Sequence, residues 1–369
     1  MRYAKLLARA VWLASATSAC GTSGPAARPD ASQAAEGEDA AQPMGDDSSL
    51  PRSTGVLVSG QHTPIGIALD DDDVYWMNLG SYSGQTGTYS GAQLMKCAKA
   101  GCGNAPTVLA SGPWNGTTRL AVSGGSVYWA TPNMVLSCAT GGCLSGGPTV
   151  LWSSTLAPTD IAVNATAIYF GDSIKNELLT CPLAGCGTSP SVIWNSSVPP
   201  IAIALEGPTV YFAATGISLL SCGPSGCAPI VLGGTPTAIG ISATSVYVGT
   251  QAAGSPGAIA SCPEADCPGG LTLVTSSLSY CAGVAVDAAN VYFTDWGMTE
   301  VEAGPVPGGA GQVAMCPIGG CNDSPTPLAG FVNFPQQIAV DGTTVYWTDF
   351  GSSTDVHESD DGRVMAMPK

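Results

Sequence analysis

From residue 55 onward the chain alternates between short apolar runs and turns built from Gly, Asp, Ser, Thr and Pro. The clearest unit is residues 338–351, IAVDGTTVYWTDFG: one apolar run, a polar turn, a second apolar run. Runs of this length around such a turn predict a β-hairpin. They are apolar at nearly every position instead of strictly alternating, which predicts strands covered on both faces. Six weaker copies precede this one, at residues 67–78, 120–131, 161–172, 201–214, 239–250 and 284–295. Each carries a tyrosine in its second run: Tyr75, Tyr128, Tyr169, Tyr211, Tyr247, Tyr292 and Tyr346.

A third run follows each copy and, in the first six, ends in Cys, as at residues 94–97. A fourth follows the next Cys, as at 107–110 or, in the fourth unit, 230–233. Four strands per unit, repeated about every 40 to 45 residues, predict a β-propeller. The fold expected is therefore all-β: a seven-bladed β-propeller of four-stranded blades. The seventh unit has a third run at 363–367 and no fourth. An unassigned run, Val56-Leu57-Val58-Ser59-Gly60, precedes the first unit and matches the fourth-run pattern Val108-Leu109-Ala110-Ser111-Gly112. The N-terminal run is expected to complete the last blade and close the ring, which leaves only short, protected edges.

Composition agrees with short strands and tight turns: 48 Gly, 28 Pro and only 10% charged residues. The net charge of −16 would repel phosphate backbones, so no nucleic-acid partner is expected. Residues 1–20 read as an export signal, with Arg2, Lys5 and Arg9 before a short apolar stretch that is too short to span a bilayer. The stretch ends Thr17-Ser18-Ala19-Cys20, which resembles a bacterial lipobox with Thr17 where Leu is usual. Lipidation at Cys20 is expected, with cleavage after Ala19 to a secreted form as the alternative. Residues 21–54 are Ala, Gly, Ser, Pro, Asp and Glu with almost no large apolar side chain, which predicts an acidic, disordered tether. Residues 55–369 form the propeller.

Val345-Tyr346-Trp347-Thr348-Asp349, preceded by Ile338-Ala339-Val340-Asp341, resembles the YWTD repeat of low-density-lipoprotein-receptor-type propellers. Thr-Asp recurs only at Thr294-Asp295, and Asp172 keeps the acid alone. The family's six blades are not carried over, because seven copies are counted. The cysteine-bearing form also resembles predicted secreted lipoproteins of myxobacterial type.

Fourteen cysteines point to an oxidising compartment. Twelve form pairs of constant spacing: Cys97/Cys102, Cys138/Cys143, Cys181/Cys186, Cys222/Cys227, Cys262/Cys267 and Cys316/Cys321. Each pair flanks the turn between third and fourth strands and is expected to face across that hairpin as a local disulfide that does not join blades. Gly precedes the second Cys in every pair but the fifth, as a turn needing positive φ favours. Zinc would need two pairs to meet, and these sit on different blades. Cys281 has no partner and reads as a buried, inert thiol.

Loops joining strands two to three, and four to the next strand one, emerge on one face of a propeller. The longest are in units one, six and seven, which ring closure makes neighbours. That sector carries Tyr82, Tyr89, Trp114, Trp296, Phe331 and Phe334, and the acidic run with Asp355, His357, Glu358 and Asp360. Loops on a rigid scaffold are where binding usually resides, and aromatics among polar neighbours suit recognition. No cofactor and no dedicated metal site are expected. The acidic run and residues 70–73 allow at most weak calcium binding. The chain has only two histidines and no nucleophile elbow or HExxH motif. The expected function is non-catalytic binding of a protein or glycan partner through the loop face of blades 6, 7 and 1. The expected location is the bacterial cell envelope, as an outer-membrane lipoprotein facing periplasm or cell surface. The alternatives are a carbohydrate-active propeller enzyme using loop carboxylates and a structural envelope module.

Overall fold

The computed structural model describes residues 55–83, 88–114, 119–143, 145–155, 157–214, 218–223, 226–231, 235–252, 255–263, 271–301, 304–307, 311–351 and 361–369. The predicted export signal, Cys20, the tether, Cys267 and the acidic run 352–360 lie outside them. Every regular element among the described residues is a β-strand. Seven antiparallel four-stranded sheets form the seven blades of a β-propeller. The innermost strands are Pro64–Leu69, Leu120–Ser123, Pro158–Val163, Pro200–Glu206, Thr235–Ile241, Cys281–Val286 and Pro335–Val340. Each packs against the next, and the last returns to the first.

The ring closes as expected. Val56–Gln61 is the outermost strand of blade 7, beside Gly362–Pro368. Val58 lies opposite Val364, and both are fully buried. The closing strand also reaches blade 1. Gln61 Oε1 accepts the indole N–H of Trp76 at 3.1 Å and the amide of Asn78 at 3.0 Å.

Each position of the YWTD-like run has its own packing role. The Trp position holds Trp76, Trp129, Phe170, Phe212, Val248, Phe293 and Trp347, all at 0% exposure, so it fills the space between neighbouring sheets. The Tyr hydroxyl donates to the Asp that ends strand one in blades 1, 6 and 7: Tyr75 to Asp70 at 2.6 Å, Tyr292 to Asp287 at 2.9 Å, Tyr346 to Asp341 at 3.2 Å. The same Asp accepts two backbone N–H groups of the turn, as Asp341 does from Thr343 and Thr344. The next blade then caps this pair. Lys99 of blade 1 lies 3.0 Å from Asp341, and Lys369 of blade 7 lies 2.6 Å from Asp287.

Two sequence-derived strand placements need correction. The fourth copy begins at Ile203 and not at 201, because Ile203 pairs with Phe212 as Ile338 pairs with Trp347. The fourth strand of blade 4 is Gly226–Val231 and not 230–233, since the third strand turns back directly through its cysteine pair.

Five of the expected disulfides lie within the described residues: Cys97–Cys102, Cys138–Cys143, Cys181–Cys186, Cys222–Cys227 and Cys316–Cys321. Their Cα separations are 5.5, 5.6, 5.4, 4.0 and 5.2 Å. The pairing is as expected, but the facing geometry holds only for Cys222 and Cys227. Cys102, Cys143, Cys186 and Cys321 do not sit on the fourth strand opposite their partners. Each lies in the turn, beyond the paired strand residues. In blade 1, for example, Cys97 ends the third strand within Ala92–Ala98, while the fourth strand starts only at Thr107, five residues past Cys102. The physical reason is that the turn bends away from its own hairpin to dock on the preceding blade. Cys102 itself packs against the cluster that holds Val58 and Val364 of blade 7.

The Gly before the second Cys has the positive φ the sequence predicted, between +91° at Gly185 and +116° at Gly226. At Gly185 a Cβ would also lie 2.8 Å from the Leu151 carbonyl. That close approach is the docking contact. The N–H groups of Cys143, Cys186 and Cys321 donate to Leu109, Leu151 and Val274, on the outermost strand of the preceding blade, at 2.9, 2.9 and 3.1 Å. Ser276, two residues beyond Val274, and Ser59, on the closing strand of blade 7, donate their N–H to Asp323 and Asn104 of the next blade's turn. Each such cysteine turn thus covers part of its neighbour's free sheet edge, the usual weak point of an open sheet. Each disulfide closes a short loop worth about 2 kcal/mol in chain entropy and holds that cover in shape.

Candidate functional site

The expected binding sector is assembled by one repeated brace. The first residue after strand two donates its N–H to the residue that precedes strand one of the same blade. The pairs in this sector are Leu79 to Thr63 in blade 1, Trp296 to Tyr280 in blade 6 and Phe350 to Phe334 in blade 7, and blade 3 repeats the brace with Ser173 to Ala157. The brace seats large side chains where the innermost strands begin. Blades 6, 7 and 1 are consecutive around the ring, as closure requires.

Trp296 stacks on Tyr280, with ring centroids 4.3 Å apart, and meets Phe334 edge-on at 5.7 Å. Phe334, Phe350, Leu79, Trp114 and Trp129 belong to one apolar cluster, with Tyr89 and Trp296 packed against it. In blade 1 the long connection forms a small hairpin, Ser81–Ser83 with Thr88–Ser90. It sets Tyr82 opposite Tyr89 with centroids 5.1 Å apart. A continuous aromatic cluster therefore runs from blade 6 to blade 1. Among the described residues, nothing accepts a hydrogen bond from the buried indole N–H of Trp296.

The predicted residues separate by burial. Trp114 is buried and packs edge-on against Trp129 at 5.0 Å, and Phe334 is buried as well, so both support the surface from beneath. Tyr82, Tyr89 and Trp296 remain partly exposed. Phe331 is 45% exposed at the end of the outer strand of blade 6, outside the cluster. Asp355, His357, Glu358 and Asp360 lie outside the described residues. Tyr280 was legible in the sequence as a ring side chain of this sector, though not among the expected site residues, since blades 3 and 4 carry Ala157 and Pro199 before strand one; Phe350 was not singled out.

The strand-two acids anchor the same connections. Asp295 accepts the N–H groups of Ser279 at 3.0 Å and Tyr280 at 2.8 Å, which fixes the stacked Tyr280. Asp349 accepts the Gly351 N–H at 3.3 Å under Phe350. Burial pushes the Asp349 carboxyl up to about 6, against that N–H and the charge of Arg363. Burial likewise pushes the Tyr280 phenol up to about 12. Within residues 70–73, Asp70 is spent on Tyr75 and its own turn and Asp73 on Lys96, while Asp71 and Asp72 are exposed. No group of three or more metal-ligating side chains occurs among the described residues. No helix there is long and apolar enough to cross a membrane.

Cys281 is fully buried with its thiol 3.8 Å from the Gly283 carbonyl. Burial and the charge of Asp295 raise its pKa, which favours the protonated thiol, and the burial is as the sequence suggested. Gly249 of blade 5 makes room for it: a Cβ there would lie 2.6 Å from the sulfur.

A second buried acid, Asp160, links three blades at the axis. It is 1% exposed. Its carboxylate accepts the N–H groups of Ile161 at 2.8 Å and of Ile203, on blade 4, at 2.7 Å. Arg119 of blade 2 lies 3.3 Å away. Burial pushes the carboxyl up to about 6, opposed by Arg119 and the two N–H donors. Asp160 and Asp349 therefore bind a proton in the folded state at a pH where the unfolded chain does not. Between about pH 4 and pH 6 stability rises as pH falls, by at most roughly 3 kcal/mol per group. Asp287 and Asp341 act oppositely. Partial burial would raise them, but turn N–H groups and lysines outweigh it and hold both at about 2. Their contribution is lost as pH falls from about 4 toward 2. The melting temperature is expected to peak near pH 4 to 5 and to fall toward pH 7. A calorimetric pH series checks this, and Asp160→Asn should flatten the slope.

No family model matches the chain, and no curated protein matches it. Solved structures do. The crystal structure of a computationally designed protein, Ika8, aligns over 85% of this chain and 100% of its own at 12% identity and a TM-score of 0.54. The crystal structure of a nidogen/laminin complex aligns over 62% of this chain and 87% of the matched chain, at 16% identity and a TM-score of 0.46. The first likeness shows the fold alone. The second is too loose to bear on either fold or role. A fold shared this widely, with 829 matching chains, leaves function to the site itself.

Proposed function

We propose that this propeller is a non-catalytic binding module that holds a protein or glycan partner on the loop face of blades 6, 7 and 1. The observation that carries the reading is the Tyr280–Trp296–Phe334 aromatic run, with the Tyr82–Tyr89 pair beside it. Aromatic side chains that are already braced lose little freedom on binding, and such residues dominate interface energetics. Five disulfides support an oxidising location, and lipid anchoring at Cys20 in the bacterial envelope completes the reading.

The test is capture from envelope extract by the full chain, followed by titration with the captured partner. Tyr82→Ser and Trp296→Ala should each weaken binding by about 30-fold or more, the loss typical of a hot-spot residue. Tyr82→Ser should leave the melting temperature unchanged. Unaltered affinity in both variants would place the binding surface elsewhere.

A further inference from the structure

The axis of the ring carries a site separate from the aromatic sector. Arg119 precedes the innermost strand of blade 2, and its Nε lies 3.3 Å from Asp160 of blade 3. Asp160 lies on the innermost strand of blade 3, and Arg119 directly precedes that of blade 2, so the pair stands beside the central axis. Asp160 cannot swing away, because two backbone N–H groups on two blades hold the carboxylate.

The guanidinium approaches Asp160 through Nε. Among the described residues no carboxylate or carbonyl meets Nη1 or Nη2, and neither is a buried, unsatisfied atom. The side chain retains 19% exposure. An arginine held at Nε by a fixed acid presents its two outer nitrogens as a rigid fork, which matches the two oxygens of a carboxylate.

We propose that this fork binds the carboxylate of a small monocarboxylate that enters the central channel. Charge selects this class over phosphate. Asp160 already offsets much of the guanidinium charge, and the chain carries a net charge of −16. A dianion would leave the site with two surplus negative charges, whereas a single carboxylate leaves one, shared across the Nη donors. The buried face toward Asp160 is complete without a ligand, so the fold does not depend on the ligand.

The experiment titrates the full, oxidised chain with benzoate, acetate and inorganic phosphate, read by calorimetry and melting temperature. Benzoate and acetate should bind saturably, and phosphate at least about tenfold more weakly. Arg119→Lys keeps the charge beside Asp160 but loses the two-nitrogen fork, so it should melt like the parent and bind benzoate at least about tenfold more weakly. Absence of saturable carboxylate binding, tighter phosphate binding, or parental affinity in a folded Arg119→Lys would each overturn the proposal. A second measurement needs no variant. Benzoate should slow modification of Arg119 by phenylglyoxal, followed by peptide mapping, while Arg363 reacts at an unchanged rate. Equal modification of Arg119 with and without benzoate would also overturn it.

Discussion

Asp160→Ala is expected to destabilise the propeller by about 3 to 5 kcal/mol, the cost of breaking a buried charge pair. Three losses combine. Arg119 loses the acid that fixes it, and the Ile161 and Ile203 N–H groups lose their acceptors at the most enclosed part of the ring. A buried donor left unpaired costs about 1 to 3 kcal/mol by itself. Because the three partners belong to blades 2, 3 and 4, the loss loosens two blade interfaces together. Asp160→Asn keeps an acceptor for one N–H and should cost clearly less. Urea unfolding of the two variants beside the parent separates these outcomes. Equal stability of Asp160→Ala and the parent would mean that the axis is held by other contacts.

Removing residues 55–61 is expected to have an equal or larger effect. The strand buries Val58 completely against Val364, and burial of one such side chain is worth about 1.5 to 3 kcal/mol. It also pairs with Gly362–Pro368, at about 1 kcal/mol net per backbone hydrogen bond. Gln61 leaves with it, and Trp76 and Asn78 of blade 1 lose their shared acceptor. The sum, on the order of 5 kcal/mol or more, is a large part of a typical domain's stability. It falls where the ring has no chain connection between blades 7 and 1 except through this strand.

Much of this fold is written in local pattern. Two apolar runs around a polar turn define each strand pair, and the missing fourth run of unit seven locates the closure. Constant cysteine spacing with a preceding Gly gives both the disulfides and the turn conformation. What local pattern misses is register and contact across blades. Ile201 and Ile203 are both apolar, so only pairing with Phe212 shows which one begins the fourth copy. The bond from Ile203 to Asp160 spans 43 residues, one blade repeat, and no periodicity within a run reveals it. The cysteine turns show the same limit. Spacing pairs Cys97 with Cys102, but the place of Cys102 in the turn follows from docking on blade 7, which no local run encodes. At the candidate site the aromatic residues were legible as composition. Their division into a buried support, Trp114 and Phe334, and a partly exposed surface, Tyr82, Tyr89 and Trp296, required the fold.

The binding sector depends on a seven-bladed ring closed by its N-terminal strand, because closure is what brings blades 6, 7 and 1 together. The most direct measurement compares thermal unfolding of the full chain with that of the same chain lacking residues 55–61. A single cooperative transition lowered by about 10 °C or more is the result predicted, given a few degrees per kcal/mol for a domain of this size. An unchanged melting temperature would contradict the closure, and with it the sector on which the binding proposal stands.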